Sequence, residues 1–310
     1  MYTGEIISLI VALSWTVTAI CFEYASKRIG ALTLNIVRLM MSIAMLAITL
    51  KLTTGSIAPW DAGWDAWKWL VLSGFVGYVF GDFCLFNSYL LIGSRFGQLF
   101  MTLAPPTAAI AGYLFLGEKM GIYAIAGMSV CIIGIGFSIV GKSSGGGKRL
   151  CIQLPLKGVL YGIGAGVGQG LGLVLSKIGM NCYLDFNPPV TALEKFMLPF
   201  EATQIRAFAG VTGFLVILLL RGEIKKLVAS FSDRRAMMAS TAGTFFGPFA
   251  GVSLSLMAVQ YTHAGVASTL MALTPIIILL PSKVVFREKI TFRQVLGAVI
   301  SVLGVALFFV

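Results

Sequence analysis

Few residues in this sequence could do chemistry, and most of those lie inside long apolar runs. Asp82 stands out. It sits in GFVGYVFGDFCLFNSY (74–89), between Gly81 and a row of aromatic residues. A charged group at the middle of a membrane helix costs at least ~2.5–3.5 kcal/mol, so it needs a wet cavity or a charged partner. Asp82 therefore reads as a proton or cation site, or as a structural salt bridge to Arg38 or Arg95. Arg38 and Arg206 are guanidinium groups in similar runs, NIVRLMMSIAML (35–46) and FEATQIRAFAG (200–210). Each suits two-pronged binding of a carboxylate or phosphate. The bland alternatives are Arg38 pairing with Asp82 or Glu23, or snorkelling to the headgroups, and Arg206 pairing with Glu201. Glu23 and Lys177, late in the first and sixth apolar runs, read as interfacial charges, with Glu23 also a candidate binding group.

Polar and aromatic residues at depth extend this set: Trp15, Thr18, Tyr78, Asn87, Gln98, Thr102, Gln169, Ser253 and Ser255. Buried amides and hydroxyls need partners, which a wet cavity or neighbouring helices supply. Pro105 and Pro275 break the hydrogen-bond ladder of any helix that holds them and so predict bending points. Glu118 and Glu288 read as helix-start carboxylates, and His263 as a residue of a short turn. With one histidine, no CxxC among five cysteines, no HExxH and no nucleophile elbow, the sequence predicts no enzyme, no metal and no cofactor.

The elements that must position these groups follow from composition. Of the 310 residues, 58% are hydrophobic and 11% charged, with mean hydropathy +0.93. Soluble domains carry about 25% charged residues, which excludes a soluble enzyme, a disordered chain and a secreted disulfide scaffold. The net charge of +11 lies in loops between apolar runs, so it predicts a lipid bilayer rather than nucleic acid as partner. About 20 apolar residues span the hydrocarbon. Ten stretches qualify: 5–26, 31–51, 67–90, 95–116, 121–140, 156–178, 198–220, 236–260, 265–285 and 290–310. The first reads as a span rather than a cleaved signal, because no basic segment precedes it.

GKSSGGGKRLCIQLP (141–155) reads as a flexible Gly/Ser and basic linker that divides the chain. A shift of 170 positions aligns 75–140 with 245–310 without a gap, pairing Phe75/Phe245, Gly77/Gly247, Gly81/Gly251, Pro105/Pro275, Glu118/Glu288, Gly127/Gly297 and Gly134/Gly304. The extra residues of the second half fall mainly in 181–200, an amphipathic lid or interfacial loop. Asp82 faces Val252 in this alignment, so the carboxylate belongs to one half only. The alternating glycines from Gly162 to Gly172 have small-xxx-small spacing on two faces of one helix. The expected fold is an all-α polytopic membrane protein of ten helices in two five-helix repeats, 1–140 and 156–310. Five is odd, so the second repeat enters from the opposite side, a plan that recurs in secondary transporters.

Residues 103–140 and 273–310 share a Pro in the fourth helix, a Glu at the turn and a glycine-spaced last helix. Together with NIVRLMMSIAML, they resemble the EamA repeat of the drug/metabolite transporter superfamily. The second copy reads Phe286-Arg287-Glu288-Lys289 at its turn, without the glycine present as Gly117 in the first, and so departs from the pattern there. The resemblance implies a secondary transporter, such as an exporter of an amino acid or other small metabolite, with proton coupling an option. It equally admits a drug efflux pump or a sugar-phosphate or nucleotide-sugar exchanger, and a non-transporting scaffold or sensor is the rival of another class. A monomer or homodimer in the plasma (inner) membrane is expected. Sixteen Lys and Arg residues flank the loops after helices 1, 3, 5, 7 and 9, against five on the other side. That count places both termini outside the cytoplasm, whereas the resemblance favours both inside.

Overall fold

The computed structural model describes residues 3–117, 121–142, 150–152, 154–189, 191–261, 270–287 and 290–307. Glu118, Glu288 and His263 lie outside the described residues. Among the described residues, the regular structure is helical apart from one short β-ribbon. Helix α1 (Thr3–Ile29) turns at Gly30 into α2 (Ala31–Thr53). Next come α3 (Trp64–Gly74), a π-helical segment (Phe75–Asp82) and α4 (Phe83–Ile92), which form one run. The fourth run is α5 (Ser94–Phe100), a 3₁₀ turn (Met101–Leu103) and α6 (Ala104–Leu116), and α7 (Ile122–Ile139) follows. The second half contains α8 (Leu156–Phe186), α9 (Ala192–Arg221) and the short α10 (Ile224–Ser230). Then α11 (Arg234–Thr244), a π segment (Phe245–Phe249) and α12 (Ala250–Tyr261) form another run. The last described helices are α13 (Thr274–Ile277), α14 (Leu279–Val285) and α15 (Phe292–Leu307).

Among the described residues, seven helical runs are long and apolar enough to cross a membrane, and 274–285 and 292–307 are shorter apolar helices. This is a multi-pass membrane protein. Two expectations need correction. The segment 181–200 is neither lid nor loop: α8 runs on to Phe186, α9 starts at Ala192, and a capping box of Thr191 and Glu194 closes the short connection. The linker 141–155 is not flexible throughout, because β1 (Val140–Lys142) pairs antiparallel with β2 (Leu150–Ile152).

The sharp turns sit where only glycine is comfortable. Gly30 and Gly93 hold φ of 83° and 80°, a region costly for residues with a Cβ. Glycines also set how closely the helices approach. A Cβ on Gly172 would lie 2.8 Å from the Gly77 Cα, and one on Gly168 would lie 2.7 Å from the Gly81 Cα. The order of contacts is reversed, so α8 runs antiparallel to the π segment with backbone against backbone. A Cβ on Gly134 would meet the Gly297 carbonyl at 2.8 Å, and one on Gly304 would meet the Gly127 carbonyl at 2.8 Å. So α7 and α15 are antiparallel as well. Along α1, Gly243 meets Phe22, Gly247 meets Thr18 and Gly251 meets Trp15, again in reversed order.

Because backbone cannot yield, Gly172→Ala should destabilise the detergent-purified protein by about 1–3 kcal/mol, the usual cost of overpacking. Gly136→Ala, where a Cβ meets nothing within 4 Å, should leave the thermal midpoint unchanged or raise it. Equal midpoints for the two variants would contradict this packing.

Candidate functional site

The site is assembled from four elements: α2, the first π segment, α8 and α9. From α2, Arg38 donates through Nη2 to Asp82 Oδ2 and through Nε to Asn35 Oδ1 at 3.0 Å. Asn35, on the same helix face three residues earlier, is itself fixed by donating to the Ala31 carbonyl at 3.0 Å. From α8, Gln169 Nε2 donates to Asp82 Oδ1 at 2.6 Å and to the Gly77 carbonyl at 3.2 Å. Both oxygens of the carboxylate are therefore engaged. Asp82 is 5% exposed and Arg38 3%.

Asp82 ends the π segment. A π turn admits one extra residue per hydrogen-bonded loop and recurs at functional sites. Here it carries Tyr78 and Asp82 in a single stretch against α8 and α9. Gly77 and Gly81 allow that contact: a Cβ on Gly77 would lie 3.0 Å from Arg206 Nη2, and one on Gly81 would lie 3.3 Å from the Gln169 backbone nitrogen.

The fourth element, α9, brings Arg206. Its guanidinium lies over the Tyr78 ring at 4.7 Å, and that of Arg38 lies near the same ring at 5.5 Å. Arg38 also approaches the Phe86 ring at 4.9 Å. Ring faces attract cations in a desolvated setting. Arg206 is 5% exposed, has no ion pair among the described residues, and its Nε lacks a hydrogen-bond partner. The Tyr78 hydroxyl, also buried, lacks one too. Glu201 forms no ion pair with Arg206 among the described residues. Two guanidinium groups thus stand beside one carboxylate, leaving an excess of one positive charge and two unused donors.

The structure brings Asp82, Arg38, Tyr78, Gln169 and Arg206 together. The remaining candidates lie elsewhere. Glu23 Oε2 accepts from the Ser94 amide at 2.6 Å and pairs with Lys27 at 2.5 Å, so it caps the start of α5. Trp15 packs against Gly251, Gln98 donates to the Tyr89 hydroxyl at 2.7 Å, and Thr102 donates to the Leu99 carbonyl at 2.7 Å. Asn87 donates to the Phe83 carbonyl at 2.7 Å and lines a separate cavity of about 150 Å³. Pro105 is the second residue of α6, directly after the 3₁₀ turn, and Pro275 is the second residue of α13. Sequence reasoning missed Asn35 and the π segment. The Asn-x-x-Arg spacing on one helix face was the available signal for the first.

The sequence pattern of the EamA-like transporter family matches residues 2–140 and again 156–310. The chain belongs to the EamA-like transporter family. An uncharacterized transporter of Archaeoglobus fulgidus is 34% identical over 111 residues, which are 36% of this chain and 37% of that protein's length. The match thus spans little more than a third of that relative. A protein of known crystal structure superposes with a TM-score of 0.61 at 14% identity, over 99% of this chain and 96% of its own. That likeness shows a shared fold. In this EamA-like transporter, Arg38 and Arg206 come from different family repeats, and Asp82 from the first alone.

Removing one partner of a buried ion pair strands the other, at a cost of about 3–5 kcal/mol. Arg38→Met should therefore lower the unfolding midpoint strongly, and Arg38→Met with Asp82→Leu should recover most of the loss. A double variant no more stable than the single one would show that the two groups are not coupled.

Proposed function

We propose that this chain is a secondary transporter of ten spans in two inverted repeats, and that it moves a small metabolite bearing a carboxylate, such as an amino acid, outward by alternating access. Three packing relations support the inversion. Helices α7 and α15 occupy the same place in the two halves and meet antiparallel through Gly127/Gly304 and Gly134/Gly297. The contacts of α1 with Gly243, Gly247 and Gly251 mirror those of α8 with Gly77 and Gly81. The two π segments begin at Phe75 and Phe245, residues paired by the repeat. Related halves of this kind rock against each other around a site between them.

The observation that carries the substrate reading is Arg206, buried beside Tyr78 with no carboxylate of its own. Asp82 already serves Arg38 and Gln169, which argues against an organic cation as cargo. A single excess positive charge matches one carboxylate, with Arg206 and the Tyr78 hydroxyl as its donors. When the carboxylate reaches Arg38 as well, it displaces Asp82, which takes a proton. Loaded and empty sites then carry the same charge, and each anion travels with one proton. Flux runs outward when the metabolite accumulates in the cytoplasm. The excess of Lys and Arg on one set of loops supports a plasma-membrane orientation with both termini outside.

In proteoliposomes, Arg206→Gln should abolish carboxylate counterflow while leaving thermal stability unchanged or higher, because no acid is stranded. Asp82→Asn should keep counterflow and lose flux driven by a pH gradient. Unchanged pH-driven flux in Asp82→Asn would remove that carboxylate from the mechanism. A C-terminal reporter that matures only in the cytoplasm should stay dark, and bright full-length fusion would reverse the orientation.

A further inference from the structure

A polar cavity, apart from the Arg38–Asp82 cluster, lies where α1 turns into α2. It has a volume of about 150 Å³, and its lining includes Gly30, Thr33, Phe83, Arg221 and Lys226. The start of α2 carries no side-chain cap. The first backbone bond of the helix is from Leu34 to the Gly30 carbonyl at 3.0 Å, and the residues with the free amides, Ala31 to Thr33, line the cavity. Such amides and the helix dipole favour an anion. The start of α9 satisfies its own amides through Thr191 and Glu194.

A helix start alone would prove little, but Thr33 adds an independent sign. It is 2% exposed, lines the cavity, and its hydroxyl makes no hydrogen bond among the described residues. With no protein partner, that hydroxyl is left to bond whatever fills the cavity. Two cations complete the wall. The Arg221 guanidinium lies 5.6 Å from the centre of the Phe83 ring, and Lys226 pairs with Glu223, also in the lining, at 2.7 Å. Arg221 and Lys226 against Glu223 leave one positive charge.

We infer that this cavity binds a phosphate group: three amides, one hydroxyl and one guanidinium serve its oxygens, and a single excess charge matches a monoanion. The same chemistry is offered by the headgroup of an anionic phospholipid and by phosphate in solution. The site lies on the face that carries most of the Lys and Arg residues, and does not depend on the transport reading above.

The test is thermal unfolding of the full chain in an uncharged detergent, titrated with phosphatidylglycerol in one arm and inorganic phosphate in the other, with chloride holding ionic strength constant. At least one probe should raise the midpoint saturably. A response to phosphatidylglycerol alone assigns the site to a lipid headgroup, and a response to inorganic phosphate assigns it to a soluble phosphate. Arg221→Gln removes a charge-assisted hydrogen bond and should raise the half-saturating concentration about tenfold. Thr33→Val, nearly isosteric, should raise it severalfold and decides the matter if Arg221→Gln does not fold. Lys225→Gln, an exposed neighbour outside the lining, should leave it unchanged. No saturable shift with either probe, or equal weakening by Arg221→Gln and Lys225→Gln, overturns the inference.

Discussion

A charge inside the hydrocarbon has to be answered by another group, and the Asp82 carboxylate is where this chain meets that constraint. Its answer involves every element of the site. Arg38 reaches it from α2, held at the correct height by Asn35, and Gln169 reaches it from α8. Those groups converge only because the π segment and α8 touch through glycines. A side chain at Gly77, Gly81, Gly168 or Gly172 would push the helices apart and leave the carboxylate desolvated without its partners. The close packing and the buried ion pair are thus one arrangement, and each is unstable without the other.

The same contact explains how such a site could work as a moving part. Small residues let helices slide at short range without side chains having to interlock. The pairing of α1 with α11 and α12 repeats the pairing of α8 with α3 and its π segment. The Tyr78 ring receives one guanidinium from each half, so rocking of the halves would change the relation of the two cations. The carboxylate has no counterpart in the second half, where Val252 stands. In the proposed mechanism, approximate symmetry would supply the motion and the one asymmetric acid the chemistry.

Much of this is legible in the residues alone. Asp82, Arg38 and Arg206 are conspicuous because charge is rare in apolar runs, and the structure gathers them with Tyr78 and Gln169. Other features are hidden for physical reasons. A π turn differs from an α turn by one hydrogen-bond register and has no strong residue signature, so nothing in FVGYVFGD announces it. The stretch 181–200 reads as an insertion because the extra residues of the second repeat fall there, yet α8 and α9 lengthen to absorb it. Glu23 resembles Asp82 in kind, but its role depends on Ser94, which the turn at Gly93 brings beneath it. Contacts between residues distant in sequence decide such cases, and single-helix patterns do not contain them.

The central claim is that two buried guanidinium groups over one tyrosine ring select an anion. The most direct measurement is thermal unfolding of the purified protein against matched pairs of small metabolites, each carboxylate beside its own amide. A ligand that binds only the folded state raises stability by RT ln(1 + [L]/Kd), so even weak binding registers at high concentration. The account predicts that carboxylates raise the midpoint and that their amides do not, with the difference lost in Arg206→Gln. Equal shifts from acid and amide, or a shift confined to organic cations, would contradict it.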